Sequence, residues 1–210
     1  MTTKTWRWCE LIVLFVLVPS TLVLPVFPIF LVLLAASAIM YTVIIAKRKK
    51  LFNKSSLLAI PRNAPWQHML LRFAIFTFVS SGLMAIYMPE KLFIVPLQNP
   101  AMWLAITFFY SIFSVYPQEF IYRYFFFQRY QELLSSTHLF IALNALVFCI
   151  AHLVFDNAFI LVLTLVGGIL FGLTYRRTQS LMFTSIEHSL YGVWLFTIGA
   201  GEILAFPMPK

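Results

Sequence analysis

The sequence predicts an all-α, polytopic integral membrane helix bundle of about seven transmembrane helices, and three observations predict it. Of the 210 residues, 61% are hydrophobic and 10% are charged, against roughly 25% charged in a soluble domain, so most of the surface is matched to lipid. Apolar runs close to bilayer length recur along the chain. The basic residues fall in alternate connections between those runs.

The first span runs from Trp8 to Leu24. Lys4 and Arg7 precede it as they would a secretory signal, but no small-residue cleavage site follows, so an uncleaved helix is expected. Pro25-Val-Phe-Pro28 reads as a turn before a second span at Ile29 to Ala46, with a kink in one long apolar stretch as the alternative. Lys47 to His68 is the longest polar stretch and reads as a loop. Further spans follow at Met69 to Met88, Met102 to Phe127, Leu139 to Phe155, Ala158 to Tyr175 and Leu181 to Ala200. With no internal repeat, low-complexity segment or soluble domain, residues 1–210 read as a single transmembrane domain whose motif-bearing core lies at about 101–200.

Lys4, Arg7, Lys47, Arg48, Lys49, Lys50, Lys54, Arg62, Arg129, Arg176 and Arg177 all fall on one side of that layout. The other side holds Lys91 and Lys210, with Glu90, Asp156 and Glu202. The N-terminus is therefore expected in the cytoplasm, the C-terminus across the membrane, and the location to be a bacterial inner (plasma) membrane. The net charge of +8 does not indicate nucleic acid, because the charges cluster at membrane borders, where they set orientation and meet anionic head groups. Cys9 and Cys149 lack the spacing of a disulfide framework or a zinc ribbon.

Ionisable groups at membrane depth cost about 3 kcal/mol or more unless paired, so each is a functional-site candidate. Those candidates are Glu119, Arg123, His152, Glu187 and His188. Glu119 and Arg123, four apart, share a helical face and are close enough to form an ion pair. The alternative is that Pro117 ends the fourth span, leaving Gln118 to Glu132 as an interfacial helix. His152 ends the fifth span, with Asn144 two turns before it. Glu119 and His152 lie about equally far from the turn near Ser135 and Ser136, roughly 25 Å at the helical rise, so an antiparallel hairpin puts them level. His188 lies several ångströms off that level, an offset that helix tilt absorbs in part. Glu187 projects about 100° away from His188, toward something else. His68, His138, Glu10, Glu90, Glu132, Asp156 and Glu202 read as interfacial groups.

Gln118-Glu119-x-x-x-Arg123, Phe148-x-x-x-His152 and His188-x-x-x-Gly192, in that order on successive membrane helices, resemble the CAAX prenyl protease and bacteriocin-processing family of intramembrane endopeptidases. That family's pattern is Glu-Glu-x-x-x-Arg, Phe-x-x-x-His and His-x-x-x-Asn or a variant. Here Gln118 replaces the first glutamate and Gly192, which has no side chain to donate a hydrogen bond, replaces the asparagine. The resemblance implies peptide hydrolysis by glutamate- and histidine-activated water, on a membrane-associated or lipid-linked peptide or protein in the bilayer, with no cofactor. Amide hydrolysis needs a base for water, a donor for the leaving nitrogen and stabilisation of the oxyanion. The expected assignment is Glu119 as base held by Arg123, His152 as donor and His188 at the oxyanion or the substrate carbonyl, with Gln118, Asn144 and Gly192 around them.

Two histidines and a glutamate are also the ligand set of several catalytic zinc sites, so zinc held by Glu119, His152 and His188 is the alternative. The absence of His-Glu-x-x-His or another tightly spaced ligand pair stands against it. A non-catalytic scaffold or immunity-type protein that kept the fold is a second function class, favoured by Gln118 and Gly192. A transporter is a third, and it lacks the paired halves such folds show.

Overall fold

The computed structural model describes residues 3–24 and 28–201. Every regular element among them is helical. Glu202, Lys210 and most of the Pro25-Val-Phe-Pro28 boundary, with its choice between turn and kink, lie outside the described residues.

The helices in order are α1 (residues 3–21), α2 (Pro28–Arg48), α3 (Lys54–Leu58), α4 (Trp66–Tyr87), α5 (Ile94–Gln98), α6 (Pro100–Leu133), α7 (Thr137–Ile150), α8 (Ala158–Thr178) and α9 (Leu181–Thr197). Among the described residues α4, α6, α8 and the stretch Thr137–Phe155 are long and apolar enough to cross a membrane. The other three expected spans, Trp8 to Leu24, Ile29 to Ala46 and Leu181 to Ala200, fall largely on the helices at 3–21, 28–48 and 181–197, which are not among these four.

Local chemistry sets most boundaries. Asn157 accepts from the backbone N–H of Phe159 and Ile160 to start α8, and Ser180 accepts from that of Phe183 to start α9. Arg176 and Arg177 occupy the last turn of α8, at the negative end of its dipole. The loop expected between Lys47 and His68 contains α3, because the Asn53 side chain caps Ser55. At Gly168 an added Cβ would lie 2.8 Å from the Ala145 Cα, so α7 and α8 meet through small residues that let backbones approach.

Pro117 does not end the fourth span; α6 continues past it to Leu133. A proline inside a helix clashes with the carbonyl four residues back. That carbonyl belongs to Phe113, inside a π-helical segment at Tyr110–Val115, where the wider turn makes room. The same solution recurs in α1, where Pro19 follows a π segment at Val13–Leu17 that contains Phe15. The interfacial-helix alternative for Gln118 to Glu132 is therefore set aside.

Three basic connections meet at one end of the bundle. Arg7 pairs with Glu132 at 2.7 Å, Tyr124 bonds to the backbone of Leu51 and Asn53, and Ser180 donates to the Ala59 carbonyl at 2.6 Å. Glu10 departs from its expected interfacial place. It is buried, with one oxygen accepting from Tyr41 at 2.9 Å and the other from Arg129 Nε and Nη2 at 3.0 and 2.8 Å. Partners on α2 and α6 close over it, which a reading of α1 alone cannot foresee. Beneath this layer Phe15 meets Tyr122, Phe126 and Tyr130 edge to face, fastening α1 to α6.

Candidate functional site

Glu119 and Arg123 lie in the middle of α6, fully buried, with Glu119 Oε2 3.5 Å from Arg123 Nε. A third π segment, Phe120–Phe125, covers Arg123. There the N–H of Phe126 turns to the carbonyls of Ile121 and Arg123, and Asn144 of α7 donates to the Tyr122 carbonyl at 2.6 Å. Asn144 therefore supports the irregular stretch that carries Arg123.

His188 reaches Glu119 from α9, with Nδ1 2.8 Å from Oε1. A carboxylate only accepts, so Nδ1 carries the hydrogen and Nε2 is the ring nitrogen left for other partners. The imidazole stacks on Phe171 of α8, with centroids 4.6 Å apart and planes at 19°.

His152 follows the last turn of α7, its Nδ1 2.8 Å from the Phe148 carbonyl. Glu119 and His152 were expected to meet at one level; the hydrogen bond that forms on Glu119 comes from His188. The Phe148 ring occupies the ground between these groups. Its centroid lies 4.7 Å from the ring of His152, 5.7 Å from that of His188 and 4.4 Å from the Arg123 guanidinium carbon. Phe148 thus gathers three of the motif residues around one aromatic face and edge.

A cavity of about 540 Å³ adjoins the cluster. His152, His188, Gln118, Tyr110 and Gly192 line it, together with apolar residues of α1 and α2 such as Leu14, Val18 and Ala38. Glu119 and Arg123 lie behind that wall. Gln118 donates from Nε2 to Ser114 Oγ at 2.8 Å. At Gly192 an added Cβ would fall 2.1 Å from the Tyr110 hydroxyl oxygen, so the tyrosine holds the space that a side chain would need.

Glu187 faces away from the cavity, as its angular offset from His188 predicts. Its carboxylate, fully buried, accepts from Arg72 Nη2 of α4 at 2.8 Å, and the same nitrogen donates to Thr174 Oγ1 at 3.2 Å. Arg72 and Tyr110 had drawn no role from the sequence. The intramembrane position of Arg72 was the available signal for the first; nothing local marks Tyr110.

Among the described residues no three His, Cys, Asp or Glu side chains converge as metal ligands. Glu119 and His188 touch each other while His152 is tied to the Phe148 carbonyl, so the three proposed zinc ligands are not assembled around one point.

Residues 100–194 match the family model described as type II CAAX prenyl endopeptidase Rce1-like. No curated protein and no solved structure matches the chain. The matched segment spans α6 to most of α9 and holds all three motifs. Over that segment, a little under half of its length, the chain is similar to the type II CAAX prenyl endopeptidases.

Proposed function

We propose that the protein is an intramembrane endopeptidase that hydrolyses a peptide bond of a membrane-associated or lipid-linked protein, from a membrane in which its N-terminus faces the cytoplasm. The observation that carries this reading is the 2.8 Å contact between buried Glu119 and His188 at the wall of a cavity that His152 also lines. A buried carboxylate on Nδ1 fixes the tautomer and stabilises the imidazolium that forms when Nε2 takes a proton. The base is thus His188, with Glu119 orienting it and Arg123 balancing the carboxylate. This moves the base from Glu119, where the motif alone put it, because Glu119 sits behind the cavity wall.

In the reaction, a cavity water gives a proton to His188 Nε2 as its oxygen bonds to the carbonyl carbon, and the carbonyl π pair moves onto oxygen. Collapse of the tetrahedral intermediate breaks the C–N bond. The proton on His188 passes to the leaving nitrogen, giving a carboxylic acid and an amine. His152, tied at Nδ1, presents Nε2 to the same water and directs it.

The test is cleavage of a broad membrane-peptide library by purified wild-type, Glu119→Ala and His188→Ala proteins, with a zinc chelator in a parallel arm. Wild-type cleavage that drops about 10³-fold or more in both variants is expected. Undiminished cleavage by Glu119→Ala sinks the reading. Chelator-sensitive cleavage restored by zinc would make the site a metal centre.

A further inference from the structure

A buried charge pair that the reaction above does not use lies next to its base. Glu187 precedes His188 on α9, its side chain is fully buried, and its carboxylate accepts from Arg72 Nη2 at 2.8 Å. Arg72 sits on α4, outside the segment that matches the family model. Burying a carboxylate is costly, and an apolar side chain on that face of α9 would pack against α4 without the cost.

We propose that Arg72 and Glu187 are positioning residues for His188, clamping α8 and α9 at the rotation that aims its imidazole at Glu119. The inference rests on the endopeptidase reading and deepens it. Three observations support it. First, consecutive residues of α9 bond to two different helices, Glu187 to Arg72 of α4 and His188 to Glu119 of α6, at 2.8 Å each. One hydrogen bond can follow a small rotation of a helix by pivoting. Two that leave neighbouring residues about 100° apart hold together at one rotation only. Second, Arg72 Nη2 also donates to Thr174 Oγ1 of α8 at 3.2 Å. Thr174 lies one turn from Phe171, whose ring stacks on His188 with centroids 4.6 Å apart. One nitrogen therefore ties the helix that carries the imidazole to the helix that supports its face. Third, Arg72 is itself held, because its Nε donates to the His68 carbonyl one turn back at 3.3 Å. The guanidinium is a rigid plane, so the backbone of α4 sets where Nη2 stands.

The other contacts between α4 and α9 act differently. Phe73 and Phe76 meet the Tyr191 ring at 5.6 and 5.0 Å, which are packing contacts without a hydrogen bond's direction. Trp194 Nε1 donates to Ser80 Oγ at 3.0 Å, but six residues beyond His188, about 9 Å along the helix. The Arg72 bond acts within one residue of the base.

The experiment compares wild type, Glu187→Leu, Glu187→Gln and Ser80→Ala on one substrate cleaved by the wild type. It reads kcat, KM, the thermal midpoint and the nitrogen NMR spectrum of labelled histidine, with the His188 signals assigned by their loss in His188→Ala. Glu187→Leu removes the acceptor and strands no fully buried charge, since Arg72 is 31% exposed. Its kcat is expected to fall about 10- to 100-fold with KM within about threefold, because a misaimed base costs rate rather than binding. Its His188 signals are expected to lose the pattern of hydrogen on Nδ1 and bare Nε2. Glu187→Gln keeps an oxygen for Arg72, so its kcat is expected within about threefold of wild type. Ser80→Ala removes the other hydrogen bond between the two helices, and loses stability with kcat again within about threefold. Arg72→Leu/Glu187→Leu, which removes both charges, repeats the measurement with no unpaired group and is expected to show the same fall in kcat. A merely structural pair predicts lost stability with kcat and the His188 signals kept. Glu187→Leu and the double variant with kcat within threefold of an active wild type, or with unchanged His188 signals, overturn the clamp and leave the endopeptidase reading intact. Glu187→Gln as impaired as Glu187→Leu overturns it too, because charge rather than direction would then matter. A wild type that cleaves nothing across the library fails the endopeptidase reading itself, and the positioning role falls with it.

Discussion

The protein holds two buried charge clusters that differ in how completely their atoms are satisfied. At the basic end, both oxygens of Glu10 are hydrogen-bonded, one to Tyr41 and the other to two nitrogens of Arg129. In the bundle centre, Glu119 Oε2, Glu187 Oε2 and all three nitrogens of Arg123 lack hydrogen-bond partners. Both are buried carboxylate–guanidinium pairs. The first is closed and ties α1 and α2 to α6. The second lies beside a cavity with those atoms unbonded within the protein, and unsatisfied buried charge is costly. Saturation separates the clamp from the proposed site.

The comparison is broken most severely at Arg123. Arg123→Ala leaves the buried Glu119 carboxylate without its balancing positive charge and with only the His188 hydrogen bond, and a loss of about 3–5 kcal/mol of stability is expected. Unfolding titrations in detergent check it, with Glu119→Gln/Arg123→Ala recovering much of the loss. A single variant as stable as wild type would mean that the ion pair does not hold the centre together.

Glu10→Ala probes the closed cluster. It leaves Arg129 buried without its acceptor, so about 1–3 kcal/mol of stability should go, while activity per folded molecule stays within about threefold. Measuring folded fraction and cleavage on the same preparation separates the two; a large selective loss of cleavage would erase the distinction between the clusters.

The smallest effect is expected at the rim. Arg7→Ala removes a pair whose arginine is 29% and whose glutamate is 75% exposed, and such pairs contribute at most about 1 kcal/mol. A thermal midpoint shifted as far as that of Glu10→Ala would place Arg7–Glu132 inside the clamp.

Much of the candidate site was legible because its signals are local. Glu119 and Arg123 are four residues apart, so one helix puts them on one face wherever that helix packs. His152 and His188 stood out because imidazoles at membrane depth are expensive. The partners were not legible. Glu187 and Arg72 are separated by 115 residues, and their pairing depends on how α4 and α9 are rotated about their axes. A hairpin depth argument put Glu119 and His152 level, yet contact depended on azimuth: His188 bonds to Glu119, and His152 turns to the Phe148 carbonyl. Pro117 looked like a stop because proline removes a hydrogen bond; only the upstream π turn showed how the helix passes through it.

By itself, the sequence determined that this chain lives in lipid, that it is helical, where most helices start and stop, and which connections carry the positive charge. A bilayer imposes those properties residue by residue, since each apolar side chain and each backbone N–H must be accommodated within its own segment. The tertiary structure alone decided which nitrogen of His188 meets Glu119, that Glu10 is sealed, and that a tyrosine occupies the room opened by Gly192. Each of these is a meeting between helices, and a rotation of one residue, about 100°, turns such a contact away without changing any property of the segment that carries it.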